Sequence, residues 1–322
     1  MRDHIIIWLF AAAAIYFGTS CEKNISLSLP SAPEMLVVEG RIETNRPPII
    51  ILTKNSSFYD TISQDALQEI LVTNAQIKVF SETDTTFLTL YIPAFLPSGP
   101  MRTYIYEEIL MISENDTNDN ATEFLPFYSV PDFNSGGSSF RGEEGKTYWM
   151  EATTPDSFRI SAKTVIPIRI PIVGLSISDH PDEDLRDSLV QVDVTFSVPD
   201  TFGNYVRYWN KRNEEPYYLP GGGTVFDDKL FVGTTVTLPL QRGARPDEDF
   251  NFETYGYFWK GDNVLLKWTN ISRPVYTFYN SLENDNGDSP FSTPSIVQSN
   301  ITDGLGVWAG YSVTWDSISI PF

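Results

Sequence analysis

The sequence predicts an all-β protein: an N-terminal β-sandwich followed by a second β-rich sandwich or open barrel carrying one short helix. Three observations point there. Apolar and polar residues alternate with period two in several separate runs, the pattern of strands with one buried and one solvated face. Turn residues (Pro, Gly, Asn, Asp and Ser) bound those runs. Helix signals are sparse, and Pro274 to Glu283, with proline near its first turn, is the best candidate.

In chain order, the first segment is not part of that fold. Arg2 precedes an unbroken apolar run of 13 residues, Ile5 to Phe17, and Gly18, Thr19 and Ser20 lead into Cys21, the single cysteine. A basic start, a short apolar run and small residues describe a secretory signal peptide over residues 1–20. The run is short of the roughly 20 residues a membrane-spanning helix needs. A cysteine directly after such a signal resembles a bacterial lipobox, although Gly18 stands where leucine is commoner. The expectation is acylation of Cys21, with its acyl chains inserted in outer-membrane lipid on either face. Fatty chains contribute about 0.8 kcal/mol per buried methylene, and two or more make anchoring stable. Residues 21–34 are polar, contain Pro30 and Pro33, and read as a tether.

From Met35 the strand signals begin. Leu36 to Val38 and Ile49 to Leu52 are aliphatic or β-branched. Ile77 and Val79 alternate with Gln76 and Lys78, and Tyr148, Met150 and Ala152 alternate with Thr147, Trp149 and Glu151. Residues 113–123 and 133–139 read as polar loops, and a short helix is conceivable within Ser63 to Val72. Pro167 and Pro171 keep the chain extended between them, which sets an expected boundary between domains at 35–166 and 172–322. Beyond it, Leu189 to Val198 alternates most cleanly. Further strands are expected at Tyr205 to Trp209, Val232 to Leu240, Val264 to Thr269 and Val307 to Ile320.

Composition narrows the function. With 42 acidic against 22 basic residues the net charge is −20, and it stays there once the signal is cut, which argues against nucleic acid as a partner. Only His180 would remain of the two histidines, so zinc ligation by His and Cys is excluded by count. A Ser-His-Asp arrangement would have to use His180, which sits among acidic residues and reads as a solvated loop residue. Carboxylate pairs for glycoside hydrolysis are abundant, but no local motif singles out two of them. Asp179 to Asp187 and Glu283 to Asp288 concentrate oxygen ligands; the second fails the EF-hand pattern, and a looser calcium cage in either stays open. No cofactor and no catalytic residue is assigned.

An aromatic group made of Tyr205, Tyr208, Trp209, Tyr217 and Tyr218 invites a binding role. At least one face of a strand over Tyr205 to Trp209 must be core. Tyr217 and Tyr218, next to Pro216, Pro220 and three glycines, are expected in an exposed loop, and with Trp209 they form the candidate binding site. Four triplets starting at Asp60, Asp84, Asp187 and Asp316 resemble short O-glycosylation signals.

The order LVVEGRI (36–42), VTNAQIKVF (72–80), EGKTYWMEA (144–152), FGNYVRYW (202–209), VFDDKLFVG (225–233) and SPFSTPSIVQSNITDGLGVWAGYS (289–312) resembles the Bacteroidota lipoproteins of domain-of-unknown-function family 4249. Pro294, Asn300, Ile301, Gly304, Leu305 and Gly306 carry the most specific motif. The segments 74–79 and 145–150 also resemble paired core strands of the immunoglobulin/transthyretin-like sandwich in carboxypeptidase regulatory domains, a docking module without activity. The family resemblance implies a non-enzymatic accessory lipoprotein beside a TonB-dependent transporter. The competing expectations are an acidic hydrolase acting on surface glycans and a purely structural envelope lipoprotein.

Overall fold

Alternating sequence becomes strand wherever the pattern is clean, and in the computed structural model the strands assemble into three sheets. The structure describes residues 33–55, 69–114, 122–245, 248–249, 251–284 and 296–322. Glu34–Phe322 form one compact unit. Cys21, most of the conceivable helix within Ser63 to Val72 and residues 285–288 of the second acidic segment lie outside the described residues.

The elements in chain order are β1 (Leu36–Glu43), β2 (Ile49–Lys54), β3 (Gln76–Phe80), β4 (Thr85–Phe87) and β5 (Thr89–Tyr91). A short helix α1 (Pro100–Thr103) runs on as a π-helical segment, Tyr104–Leu110. There follow β6 (Phe127–Ser129), β7 (Thr147–Thr153), β8 (Arg159–Val165), β9 (Ile172–Asp179), β10 (Leu189–Ser197), β11 (Tyr205–Arg212), β12 (Val225–Asp227), β13 (Thr235–Leu240), β14 (Phe258–Trp259) and β15 (Asn263–Ile271). Helix α2 (Arg273–Glu283) occupies the expected helical stretch, and β16 (Ile301–Thr302) and β17 (Leu305–Ser319) are the last strands among the described residues.

An eight-stranded sheet, ordered β12-β11-β15-β17-β1-β2-β6-β5, is the common layer. Partners across a ladder share a face, so the registers sort its side chains. Gly40 pairs with Trp308 and Thr314 with Trp268, which puts both tryptophans on one face. A five-stranded sheet (β16-β8-β7-β3-β4) packs on that face around Trp308, joining Ile77, Val79, Tyr148 and Met150 to β1 and β2. A four-stranded sheet of β9, β10, β13 and β14 packs around Trp268, where Val192, Val194 and Phe196 of β10 point inward as their alternation predicts. Helix α2 covers the opposite face through Val275, Phe278 and Tyr279.

The segment Pro167 to Pro171 marks a change of core but not of sheet. The hydrophobic cluster of the N-terminal half reaches Ile166 and the next begins at Ile170. The eight-stranded sheet nevertheless runs through both halves, because β1 pairs in parallel with β17 from Val37↔Leu305 to Glu43↔Tyr311. The expected division into separate domains at 35–166 and 172–322 is corrected accordingly: long-range parallel pairing has no local signature, and it joins what the prolines divide.

The specific motif near residue 300 has a structural explanation. The Asn300 side chain donates to the Trp308 carbonyl at 2.8 Å and accepts from the Trp308 N–H at 2.9 Å, clamping the start of β17. Gly306 adopts φ of 96°, and a Cβ there would lie 2.0 Å from the Val38 carbonyl oxygen. Only glycine permits β1 to come this close.

Candidate functional site

The face beneath α2 holds an arrangement that alternation alone would assign to solvent. Glu39, Arg41 and Glu43 alternate along β1, and Lys267 lies between Trp209 and Trp315 in the registers of β15. By the same registers Arg41, Glu43, Lys267, Arg207 and Tyr311 share this face. Arg41, Glu43, Arg207 and Lys267 are buried, because the π-helical segment Tyr104–Leu110 and α2 roof the sheet here.

Glu108 of the π-helical segment completes an ionic cluster. Lys267 Nζ donates to both Glu43 carboxylate oxygens and to Glu108 Oε2, each at 2.8 Å. Arg41 Nη1 lies 3.8 Å from Glu43 Oε1, and Arg46 Nη2 lies 3.8 Å from Glu108 Oε1. Lys267 Nζ also faces the rings of Trp209 and Trp315, each centroid at 5.4 Å. Burial disfavours the Arg41 charge, yet Tyr311, Glu43 and Glu39 around it hold its pKa above the ordinary value. A further cation, Arg207, stacks 3.4 Å from the Tyr279 ring centroid and donates to Thr224 Oγ1 at 3.2 Å and to the Tyr311 hydroxyl at 3.3 Å. Thr224 is held in turn by the Glu283 carboxylate from α2.

Buried phenols frame the cluster. Burial pushes Tyr104 well above the ordinary tyrosine pKa and also raises Tyr279 and Tyr217. The unfolded chain releases these protons near pH 10, whereas the native state retains them. Their contribution is complete below about pH 10 and is lost as pH rises further, since the unfolded state then binds fewer protons. The denaturant midpoint is expected to fall above about pH 10, and Tyr279→Phe to flatten that fall; a midpoint independent of alkaline pH would contradict the assignment.

Beside the cluster the surface opens into a cleft of two lobes, about 430 and 450 Å³. Arg46, Met101, Gly136 and Arg141 line both lobes; Arg102 lines the first, and Arg169 and Trp315 the second. Arg46 therefore joins the cleft to the buried ions, and its guanidinium sits 4.6 Å from the Tyr104 ring centroid. Arg141 is aimed by backbone: its Nε donates to the Gly137 carbonyl at 3.0 Å and Nη2 to the Gly136 carbonyl at 2.8 Å. Arg102 pairs with Glu114 at 3.4 Å and Arg169 with Glu144 at 2.7 Å.

The aromatic residues expected to form a binding platform are core. Trp209 is 2% exposed, Tyr217 5% and Tyr218 8%. Both faces of β11 are covered, so Trp209 packs edge-on to Tyr311 beneath α2 while Tyr208 stacks with Trp268 on the other side. The segment after Pro216 is pinned rather than free: Tyr217 N–H donates to the Glu107 carbonyl at 3.0 Å, and Tyr218 exchanges backbone bonds with Asn210. The Tyr217 ring meets Trp315 edge-on at 5.4 Å. These three residues line no part of the cleft, and the expected exposed site at Tyr217 and Tyr218 is withdrawn.

His180 is also buried, not solvated. Its Nδ1 accepts from the Asp182 N–H at 3.0 Å and its ring packs 4.0 Å from that of Tyr257. Asp182 caps the following turn by accepting from the Asp184 N–H, which gives one of the clustered acids a local structural task. Among the described residues no group of three or more His, Cys, Asp or Glu side chains is arranged to hold a metal ion.

Sequence reasoning missed the four arginines of the cleft, which come from four separate segments. Each has proline or glycine within two residues (NRPP, GPMR, FRG, PIRIP), but Arg41, Arg242, Arg245 and Arg273 share that context, so no local signal singles the four out. Fold and site together define a layered β-protein with a buried ionic cluster beneath an arginine-lined cleft. A family model described as a domain of unknown function (DUF4249) matches residues 22–316, and the chain belongs to that family. No curated protein matches it.

Proposed function

We propose that this is a non-enzymatic, lipid-anchored outer-membrane protein acting as an accessory binding component beside a TonB-dependent transporter. The carrying observation is the start of the chain, where an apolar run of 13 residues and three small residues precede the single cysteine, Cys21. Acyl chains on Cys21 fit a protein whose net charge of −20 would repel anionic lipid, since they anchor it without electrostatic help. The cleft supplies a concave site of the size small ligands occupy. A glycan-hydrolase reading needs two carboxylates facing the substrate, and among the described residues no Asp or Glu lines either lobe. The transthyretin-like resemblance of residues 74–79 and 145–150 fits a docking role for the N-terminal half.

Replacing Cys21 with alanine is expected to abolish labelling by a fatty-acid probe and move the protein from membrane to soluble fractions. Native protein extracted from outer membrane in detergent is expected to co-purify with a TonB-dependent transporter. Unchanged labelling of the variant would overturn the anchor, and recovery of the native protein without any transporter would overturn the accessory role.

A further inference from the structure

The cleft runs against the composition of the protein. The chain has 42 acidic and 22 basic residues, yet the two lobes are lined by four arginines and by no carboxylate among the described residues. Their charges are not equally neutralised. Arg102 and Arg169, one in each lobe, have carboxylate partners in Glu114 and Glu144. Arg46 and Arg141, which line both lobes and so mark where these meet, do not share that balance. Among the described residues no carboxylate lies within ion-pair distance of Arg141, and its side chain is anchored only by the Gly136 and Gly137 carbonyls. Arg46 approaches Glu108, but Lys267 takes the other oxygen of that carboxylate at 2.8 Å. The cluster beneath sets three cations, Arg41, Arg46 and Lys267, against three carboxylates, Glu39, Glu43 and Glu108. Glu108 is held by Lys267 at 2.8 Å and lies 3.8 Å from Arg46, so Arg46 is the more loosely paired of the two cations, and it is the one that reaches the cleft.

We infer that the junction of the two lobes binds an oxyanion, a carboxylate or phosphate group of a small ligand, through Arg46 and Arg141. Guanidinium groups present a planar fork that matches such groups with two parallel hydrogen bonds. Arg141 is already oriented by backbone carbonyls and Arg46 by the Tyr104 ring, so little side-chain freedom is lost on binding. In a chain of net charge −20, an electropositive concavity admits a compact anion while the protein as a whole repels a long polyanion. Trp315, 45% exposed, lines the second lobe beside Arg46 and offers an aromatic wall to the body of the ligand. This inference rests on the reading of the protein as a binding component and names the ligand class of its cleft.

The test is isothermal titration of the detergent-solubilised full-length protein with inorganic phosphate, with trigalacturonate as a small carboxylate ligand, and with neutral trigalactose. Binding of phosphate or trigalacturonate, weakened by added salt and weakened roughly tenfold or more by Arg141→Gln, supports the inference. Which of the two binds distinguishes a phosphate from a carboxylate ligand. Arg141→Lys keeps the charge and is expected to retain more of the affinity than Arg141→Gln. Arg46→Gln gives a second reading at the same junction, and thermal melts of each variant establish that it is folded. No heat from either anion, equal affinity for the neutral sugar, or anion affinity unchanged in both folded glutamine variants would overturn the inference. Membrane anchoring and transporter co-purification are read separately, so failure of anion binding leaves the reading of the protein as an anchored accessory component intact.

Discussion

Replacing Lys267 with methionine is expected to destabilise the protein by about 3–5 kcal/mol, the cost of stranding buried charge without its partner. The ammonium holds three carboxylate oxygens at 2.8 Å, and it is the closest cation to both Glu43 and Glu108. The side-chain volume is nearly conserved, so packing contributes little and the loss reports on charge. Thermal denaturation is expected to show a fall in Tm on the order of 10 °C. The triple variant Lys267→Met, Glu43→Gln, Glu108→Gln removes the ammonium together with both carboxylates it holds and is expected to recover part of that loss, with Arg41 keeping Glu39 at 3.5 Å. A single variant within about 1 kcal/mol of wild type would show the cluster to be more hydrated than its burial implies.

Replacing Trp308 with alanine is expected to cost about 3–5 kcal/mol, the range for deleting a large aromatic from a packed core. Trp308 is fully buried, and its indole Nε1 donates to the Tyr148 carbonyl at 3.2 Å, joining the eight-stranded sheet to the five-stranded one. Gly40 lies against it, where a Cβ would come within 2.8 Å of the indole ring, so the space is shaped by both residues. Trp308→Phe keeps most of the apolar surface and loses the indole hydrogen bond; it is expected to cost clearly less. Urea denaturation checks both, and equal midpoints for the two variants would contradict a cavity as the main cause.

Much of the fold was legible where one principle dominated. Val190, Val192, Val194 and Phe196 are buried as their alternation requires, and Pro274 near a first turn marks α2. Strands of two or three residues, such as β4, β12 and β16, are too short to show a period. The π-helical segment Tyr104–Leu110 has no cap or regular spacing to announce it. That omission propagates: without a roof over β1 and β15, Arg41, Glu43 and Lys267 read as solvent-facing alternation. Tyr217 and Tyr218 were misread for the opposite reason. Proline and glycine do mark a turn there, but turn chemistry says nothing of what lies over it, and single backbone bridges to Glu107 and Asn210 pull the segment inward. The cleft was hidden because its arginines are brought together only by the tertiary fold.

The parallel ladder between β1 and β17 also sets an order of events in biosynthesis. β1 is among the first structured segments to be made, and one of its two sheet neighbours is separated from it by most of the chain. Until β17 is available, one edge of β1 presents unpaired N–H and C=O groups, and the charged residues on one face lack Lys267 to meet them. Closing so long a loop is entropically slow, so the nascent chain passes through a long-lived, incompletely paired state. A ribosome-bound or partly translocated chain would thus stay loose and chaperone-dependent until its last strand emerges, and C-terminal truncations would be cleared as misfolded rather than persist as shorter domains.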